Sequence, residues 1–272
     1  MKVLFLGDIV GRPARKKIVE LLPGLRARLG LDFVIANGEN AAGGFGLTPP
    51  LAEELFAAGV DCLSGGNHTF DQKEVIPLLE SDKRVLRPLN YPPGTPGHGI
   101  GEYEDARGRK ILVINAMGRV FMDAIDDPFR AVDEALKRHP MGSQLQCIVL
   151  DIHGEATSEK MAMGHFADGR VSLTVGSHSH IPTADAQILP GGSAYQTDAG
   201  MCGVYDSVIG MDKAEPLRRF QAKIGRQRFH PAAGEATLCG VYIESDERTG
   251  LAKRIEPLRI GQPLHEHIPE VG

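Results

Sequence analysis

No apolar run in this 272-residue chain reaches the roughly 20 residues that a membrane-spanning helix needs. The apolar run at residues 3–6 is too short for a signal peptide, and no small-residue cleavage site follows it. The four cysteines are far apart and form no C-x-x-C pair, which favours buried free thiols over a redox or zinc motif. We therefore expect a cytoplasmic protein without a membrane partner.

The chain also lacks a strong charge of one sign. Its formal net charge of −5 gives no basic footprint for general nucleic-acid binding, so we predict no stable nucleic-acid partner. Internal repeats, low-complexity segments and Walker or G-x-G-x-x-G elements are absent from the sequence. With 42% hydrophobic residues the chain can form a large core, and we predict one domain over 1–272. Residues 203–235 are expected to form a cap-like excursion from that domain.

Strand-like and helix-like segments alternate in the first half of the chain. Short apolar runs end at glycine-containing clusters, and segments with helical spacing of leucine and isoleucine follow them. The predicted strands are residues 2–7, 32–37 and 60–64, and the predicted helices are 13–29, 48–57 and 71–79. Pro77 is expected to kink or end the third helix. This alternation predicts an α/β fold with a parallel sheet.

The second half adds further strands and a terminal antiparallel pair. Loops are predicted at residues 88–99 and 97–101, with at most a short edge strand at 85–87. Two short strands flank the Pro190-Gly191-Gly192 turn signal. The other predicted elements are strands 111–115, 146–151, 171–175, 238–243 and 253–258, and a helix at 128–138.

Oxygen-bearing and imidazole side chains stand where these predicted strands end. The candidates are Asp8, Glu39, Asn67, His153, His178 and His180. In parallel α/β sheets, ligands bind beyond the carboxyl ends of the strands, so these side chains should converge at one edge. A loop position just after a strand would let both His178 and His180 turn inward, whereas a regular strand would point them to opposite faces.

This donor set predicts a metal centre. Mixed oxygen and imidazole ligands suit manganese, iron, zinc or magnesium better than a metal that seeks thiolates. Six donors exceed the four that one zinc ion needs. Two divalent cations about 3.5–4 Å apart, sharing a carboxylate, would use all of them.

The motifs resemble those of calcineurin-like metallophosphoesterases, GD…GNH…GHxH. They stand here as Gly7-Asp8, Gly66-Asn67-His68 and Ser177-His178-Ser179-His180. Asn37-Gly38-Glu39-Asn40-Ala41 and Asp198-Ala199-Gly200-Met201 extend the resemblance over most of the chain, to the YmdB-type branch of bacterial 2′,3′-cyclic-nucleotide 2′-phosphodiesterases. This resemblance implies a four-layer α/β/β/α sandwich with two mixed sheets and outer helices. The metal site would lie at the carboxyl ends of the strands.

Two departures from the general superfamily pattern agree with the YmdB-type branch. Val10 stands where the usual D-x-H motif has a histidine ligand, and Glu39 replaces the usual bridging aspartate. The Asn40 amide oxygen could substitute for the lost imidazole; alternatively, Asn40 only shapes the turn before the glycine-rich residues 43–46. That segment could let a phosphate approach the backbone, or could be a simple connector.

The resemblance also implies roles for the individual residues. Metal 1 would be held by Asp8, Glu39, Asn40 and His180, and metal 2 by Glu39, Asn67, His153 and His178. His68 is left without a metal and would be the general acid for the leaving alkoxide. A metal-bridging hydroxide would attack phosphorus. Iron and manganese are favoured, with magnesium and zinc as alternatives.

These roles predict a dinuclear phosphodiesterase whose partner is a small phosphoester, a 2′,3′-cyclic nucleotide. Two alternatives stay open: a phosphomonoesterase of broad specificity, and a metal-bound regulatory or nucleotide-sensing protein with incidental turnover. The resemblance further implies a homo-oligomer.

Overall fold

The computed structural model describes residues 1–142, 144–225 and 227–270. Residues 271–272 of the predicted domain and residue 226 of the predicted excursion therefore lie outside the described residues. The described strands are β1 (Lys2–Leu6), β2 (Asp8–Ile9), β3 (Phe33–Asn37), β4 (Cys62–Ser64), β5 (Ile100–Glu104), β6 (Lys110–Met117), β7 (Cys147–His153), β8 (Leu173–Ser177), β9 (Gln187–Ile188), β10 (Ala194–Gln196), β11 (Met201–Cys202), β12 (Leu238–Ser245) and β13 (Ala252–Ile260). The described helices are α1 (Gly11–Leu29), α2 (Pro49–Ala57), α3 (Val75–Ser81), α4 (Pro128–Arg138), α5 (Thr157–Ala167) and α6 (Ala214–Ala222).

The strands form two large mixed sheets and one small pair. The first sheet has the order β13-β12-β1-β3-β4, with β1, β3 and β4 parallel and β12 antiparallel to both of its neighbours. The second has the order β5-β6-β7-β8-β10-β9, parallel from β6 through β10 with an antiparallel strand at each edge. The fold is therefore mixed α/β, as the alternating pattern predicts.

Alternate side chains of the strands enter different cores. Val3 and Phe5 of β1 join a buried cluster with residues of both large sheets, such as Val113 and Val149. Leu4 and Leu6 of β1 instead join a cluster with residues of α1, α2 and α3 on the other side of the sheet. A third cluster joins the second sheet to α4 and α5. The two sheets thus share one apolar core, and each has a second core with its own helices.

Several predicted elements need correction. Helix α3 begins at Val75 rather than residue 71, so Pro77 lies in its first turn, where the ring clashes with no preceding carbonyl. Residues 100–101, predicted as loop, begin the edge strand β5, which among the described strands pairs with β6 alone. Helix α5 is absent from the elements that the sequence pattern predicts.

Residues 203–235 follow β11 and return to β12 through an isolated bridge between Gly203 and Thr237. Helix α6 is the regular element of this segment, whose side chains Met211 and Phe229 pack with Val10 and Phe45 near the strand ends. Within the described ranges, none of the helices has both the length and the apolar character needed to cross a bilayer.

Candidate metal centre

The strand-end side chains come together at the carboxyl ends of parallel strands from both large sheets. Asp8 lies on β2, which pairs with β11 immediately beyond the end of β1. Glu39 and Asn67 follow β3 and β4, His153 is the last residue of β7, and His178 directly follows β8. The loop after β8 holds His178 and His180 at φ values of 94° and 66°. At both residues the backbone is left-handed, so the chain leaves the extended conformation of β8 at this point.

Three donor atoms surround the Nε2 atom of His153. Asn67 Oδ1 lies 3.0 Å from this nitrogen, Glu39 Oε1 lies 3.1 Å away, and His178 Nδ1 lies 3.1 Å away. Glu39, His153 and His178 offer ligand atoms that all lie within 4.8 Å of one another. Two oxygens and two imidazole nitrogens therefore point at one small volume, which is the geometry that a single divalent cation requires.

Gly66 keeps this volume clear. A Cβ atom at residue 66 would lie 2.3 Å from Glu39 Oε2 and 2.3 Å from His153 Nε2. Both distances are far below van der Waals contact, so any side chain here would displace two of the converging donors. The glycine of the Gly66-Asn67-His68 motif is thus a steric requirement of the cluster.

A second group of donors lies around Asp8. Asp8 is completely buried, and its Oδ1 atom lies 3.8 Å from His180 Nε2 and 3.9 Å from His153 Nδ1. The backbone N–H of His178 donates to the Asp8 carboxylate at 3.1 Å. Asp8 therefore lies between His153 at the end of β7 and His180 in the loop after β8, and connects the first cluster to His180.

Asn40 presents an oxygen that has no partner. Its Nδ2 group donates to the carbonyl of Gly44 at 2.9 Å, which fixes the direction of the amide. The opposite atom, Oδ1, is buried and accepts no hydrogen bond from any of the described residues. A buried amide oxygen without a donor is destabilising by about 1–3 kcal/mol, and a cation at this position would satisfy it. The glycine-rich loop thus orients Asn40.

Burial and mutual charge set the ionisation of the cluster. Burial raises the pKa of Asp8, although His180 and His153 oppose this effect. Burial alone would raise the pKa of Glu39, but the His153 imidazole holds it well below its usual value. For His178, burial together with the neighbouring His153 lowers the pKa to about 3. His178 is therefore neutral near pH 7, which is the form that donates a lone pair to a metal.

Two of the histidines are oriented by a group on the far side of the ring. His180 Nδ1 donates to the carbonyl of Ile209 at 2.8 Å, which leaves Nε2 directed at Asp8. His153 Nδ1 lies 2.9 Å from Ser177 Oγ, and that hydroxyl donates to the buried Asp151 at 2.6 Å. Such hydrogen bonds fix the tautomer and the ring orientation of a metal-binding histidine.

A buried ion pair lies beneath the loop that carries His178 and His180. Lys160 of α5 is fully buried, and its Nζ atom lies 2.7 Å from Asp198 Oδ2. The same carboxylate oxygen accepts hydrogen bonds from the Ser179 backbone N–H at 3.1 Å and from its hydroxyl at 2.7 Å. Asp198 therefore fixes the residue between the two histidines. This explains the Asp198-Ala199-Gly200-Met201 segment, for which the sequence alone indicates no role.

His68 lies beside the donor cluster but outside it. Its backbone N–H donates to Glu39 Oε2 at 3.0 Å, while its ring Nδ1 lies 2.8 Å from Asp71 Oδ2. The ring lines the same cavity as Glu39, Asn40 and the two loop histidines. Asp71 orients the imidazole, a contact that sequence reasoning missed because residue 71 is expected to begin a helix.

A cavity of about 610 Å³ opens beside these donors. One wall carries the polar groups of the cluster, and the opposite wall is largely apolar and comes from the 203–235 segment. The donor set contains two carboxylates, two amide oxygens and three imidazoles. One group converges on His153 Nε2 and the other is arranged around Asp8, so the residues present fit divalent cations.

The chain is similar to known proteins over nearly its whole length. The family model described as YmdB-like protein matches residues 4–258. A 2′,3′-cyclic-nucleotide 2′-phosphodiesterase from Bacillus subtilis (strain 168) is 45% identical over 264 residues, which cover 96% of this chain and 97% of the relative.

Solved structures agree in fold. A hypothetical protein from Thermus thermophilus superposes with a TM-score of 0.90 at 45% identity, covering 97% of this chain and 100% of the other. A structure described as a novel phosphatase from Mycoplasma pneumoniae has a TM-score of 0.88 at 35% identity. The match covers 96% of this chain and 93% of the other.

Proposed function

Because this chain belongs to the YmdB-like family, we propose that its metal centre makes it a dinuclear phosphodiesterase that acts on 2′,3′-cyclic nucleotides. The relatives are named as phosphodiesterases and phosphatases, so the chain is an enzyme that hydrolyses phosphoester bonds. The proposal adds to this a centre of two cations, His68 as the general acid and a 2′,3′-cyclic nucleotide as the substrate.

The observation that carries the two-cation proposal is the unpaired Asn40 oxygen. His153 Nε2 and the three donors around it would satisfy one cation without using Asn40 or His180. A buried acceptor without a partner, on a residue that lines the same cavity, supports a second cation held by Asp8, Glu39, Asn40 and His180. Iron and manganese suit this mixed donor set, and magnesium and zinc are the alternatives.

When bound, the two cations would activate water as a nucleophile and neutralise the charge of the phosphoryl group. The protein's own contribution to bond cleavage is a proton for the departing oxygen. His68 can hold that proton because Asp71 accepts from Nδ1, leaving Nε2 as the nitrogen that can protonate the leaving group. His68 meets Glu39 only through its backbone, so a metal-binding role is not needed to explain its position.

We further propose a layer order, a domain organisation and an oligomeric state for this chain. The three apolar clusters support a four-layer α/β/β/α order within one domain over 1–272, with residues 203–235 as the cap-like excursion. A homo-oligomer is also proposed, on the family resemblance alone.

The test combines metal analysis with kinetics on three proteins. We expect about two ions per chain in the wild type. His68→Ala should keep its metal but lose about 10²–10⁴-fold in turnover of 2′,3′-cyclic nucleotides. Asn40→Ala should lose one ion selectively. The exposed His165 is a matched control, because its replacement by alanine removes an imidazole outside the cavity.

Loss of metal in His68→Ala would reassign that residue as a ligand. Substoichiometric metal together with no hydrolysis of cyclic nucleotides would refute the dinuclear phosphodiesterase. Faster hydrolysis of 2′- or 3′-monophosphates than of cyclic substrates would favour the phosphomonoesterase. Tight nucleotide binding without turnover would favour the sensing protein.

A further inference from the structure

The cavity beside the metal centre has an aromatic side that phosphoester cleavage itself does not require. Phe45, Phe220 and Phe229, here named the aromatic wall, line it together with aliphatic residues of the 203–235 segment. Phe220 is 83% exposed although it belongs to the short helix α6. A large exposed aromatic side chain at the mouth of a cavity is typical of a binding surface.

Phe45 lies next to the proposed general acid. The ring centroids of Phe45 and His68 are 5.0 Å apart, with an edge-to-face angle of 84°. A general acid must lie beside the leaving oxygen. In a 2′,3′-cyclic nucleotide that oxygen is bonded to the ribose carbon adjacent to the one that carries the base. A base on that neighbouring carbon would therefore lie close to His68, whose ring contacts Phe45.

The Phe229 ring stacks against a guanidinium group that hydrogen bonds hold in place. The Arg219 guanidinium carbon lies 4.0 Å from the centroid of the Phe229 ring. Arg219 is itself held by Glu215 Oε1 at 2.9 Å and by the carbonyl of Gln227 at 2.8 Å. This stacked pair restricts the mobility of both side chains, and both residues line the cavity.

We propose that the aromatic wall is a nucleobase subsite, in which the base of a 2′,3′-cyclic nucleotide stacks on Phe220 and contacts Phe45 and Phe229. This proposal rests on the proposed function. Every base has an aromatic face, so stacking recognises a base without reading its hydrogen-bonding edge. We therefore expect the four common bases to be accepted with modest differences.

The experiment compares a substrate with a base to one without. Steady-state kcat and KM are measured for adenosine 2′,3′-cyclic phosphate and for glycerol 1,2-cyclic phosphate. We expect Phe220→Ala to lower the ratio of kcat/KM between the two substrates about tenfold, mainly through KM of the nucleotide, and Phe220→Trp to restore it. Phe121, which is 88% exposed and outside the cavity lining, is the matched control: Phe121→Ala should leave the ratio unchanged.

A binding measurement adds a readout that does not depend on turnover. Adenosine 3′-monophosphate should bind more weakly to Phe220→Ala than to the wild type by a similar factor in calorimetry. The subsite is overturned if the substrate ratio stays the same in Phe220→Ala and nucleotide binding is unaltered. If the wild type hydrolyses neither cyclic phosphate, the proposed function fails first; if it hydrolyses both equally well, only the subsite fails.

Discussion

The buried pair of Lys160 and Asp198 predicts an unequal response to loss of its two partners. Among the described residues, the Lys160 ammonium has Asp198 as its one hydrogen-bond partner, at 2.7 Å. Asp198 keeps other donors without the lysine, from the Ser179 N–H and hydroxyl and from the Gly200 N–H. Removing the carboxylate charge therefore leaves a buried cation, whereas removing the lysine leaves a carboxylate that is still hydrogen-bonded.

The magnitudes follow from these environments. Asp198→Asn should lower the free energy of unfolding by about 3–5 kcal/mol, because a buried charge is left uncompensated. Lys160→Met replaces the long side chain with an apolar one of similar shape and should cost about 1–3 kcal/mol. For a chain of this size the first change corresponds to a fall of roughly 10 °C in Tm.

Thermal unfolding of both variants in the presence of a chelator separates this effect from metal binding. Asp133→Asn is the control, because it removes a carboxylate that pairs with Lys137 and Arg170 at the protein surface. Its Tm should stay near that of the wild type. Metal analysis should also show a greater loss in Asp198→Asn than in Lys160→Met, since Asp198 fixes Ser179 between the two histidines. Equal destabilisation by both changes, or a Tm of Asp198→Asn equal to that of Asp133→Asn, would refute the reasoning.

Three further changes test the surroundings of the metal centre. Asp71→Ala should reduce kcat about 10–100-fold with normal metal content, because His68 loses the group that orients it; lost metal would contradict this. Gly66→Ala should abolish metal binding, since its Cβ would lie 2.3 Å from donor atoms, and metal analysis showing full occupancy would refute the steric account. Ser177→Ala should weaken metal affinity about 10–100-fold in a competition titration with a chelator, because His153 loses its oriented hydroxyl; unchanged affinity would exclude that role.

The convergence of the donors was predictable because it follows from topology. Parallel strands place their carboxyl ends at one edge, so a polar cluster after each apolar run indicates a shared site. His153 lies 3.9 Å from Asp8 and 3.1 Å from Glu39 through this rule, although the three residues are separated widely in sequence. To predict such a site it is enough to know where the strands end, and short apolar runs indicate this in the sequence.

The groups that support the donors were not predictable, because their roles depend on tertiary contacts. A lysine at residue 160 would be expected on a solvated helix face, and only the packing of α5 against β8 and the 198–201 segment buries it. Asp71 has its role because the turn after β4 brings it back to His68. The edge strand β5 escaped prediction because it pairs on one side only and follows glycine-rich sequence.

The pairing of β1 with β12 has a consequence for folding. Strand β1 lies between β3 and β12, and its register joins Lys2 to Glu244. During synthesis the free edge of β1 stays open until residues 238–245 have left the ribosome, long after β3 and β4 are available. An unpaired apolar strand edge is prone to pair with other chains. We therefore expect the growing chain to expose this edge of β1 until residues 238–245 are available to pair with it.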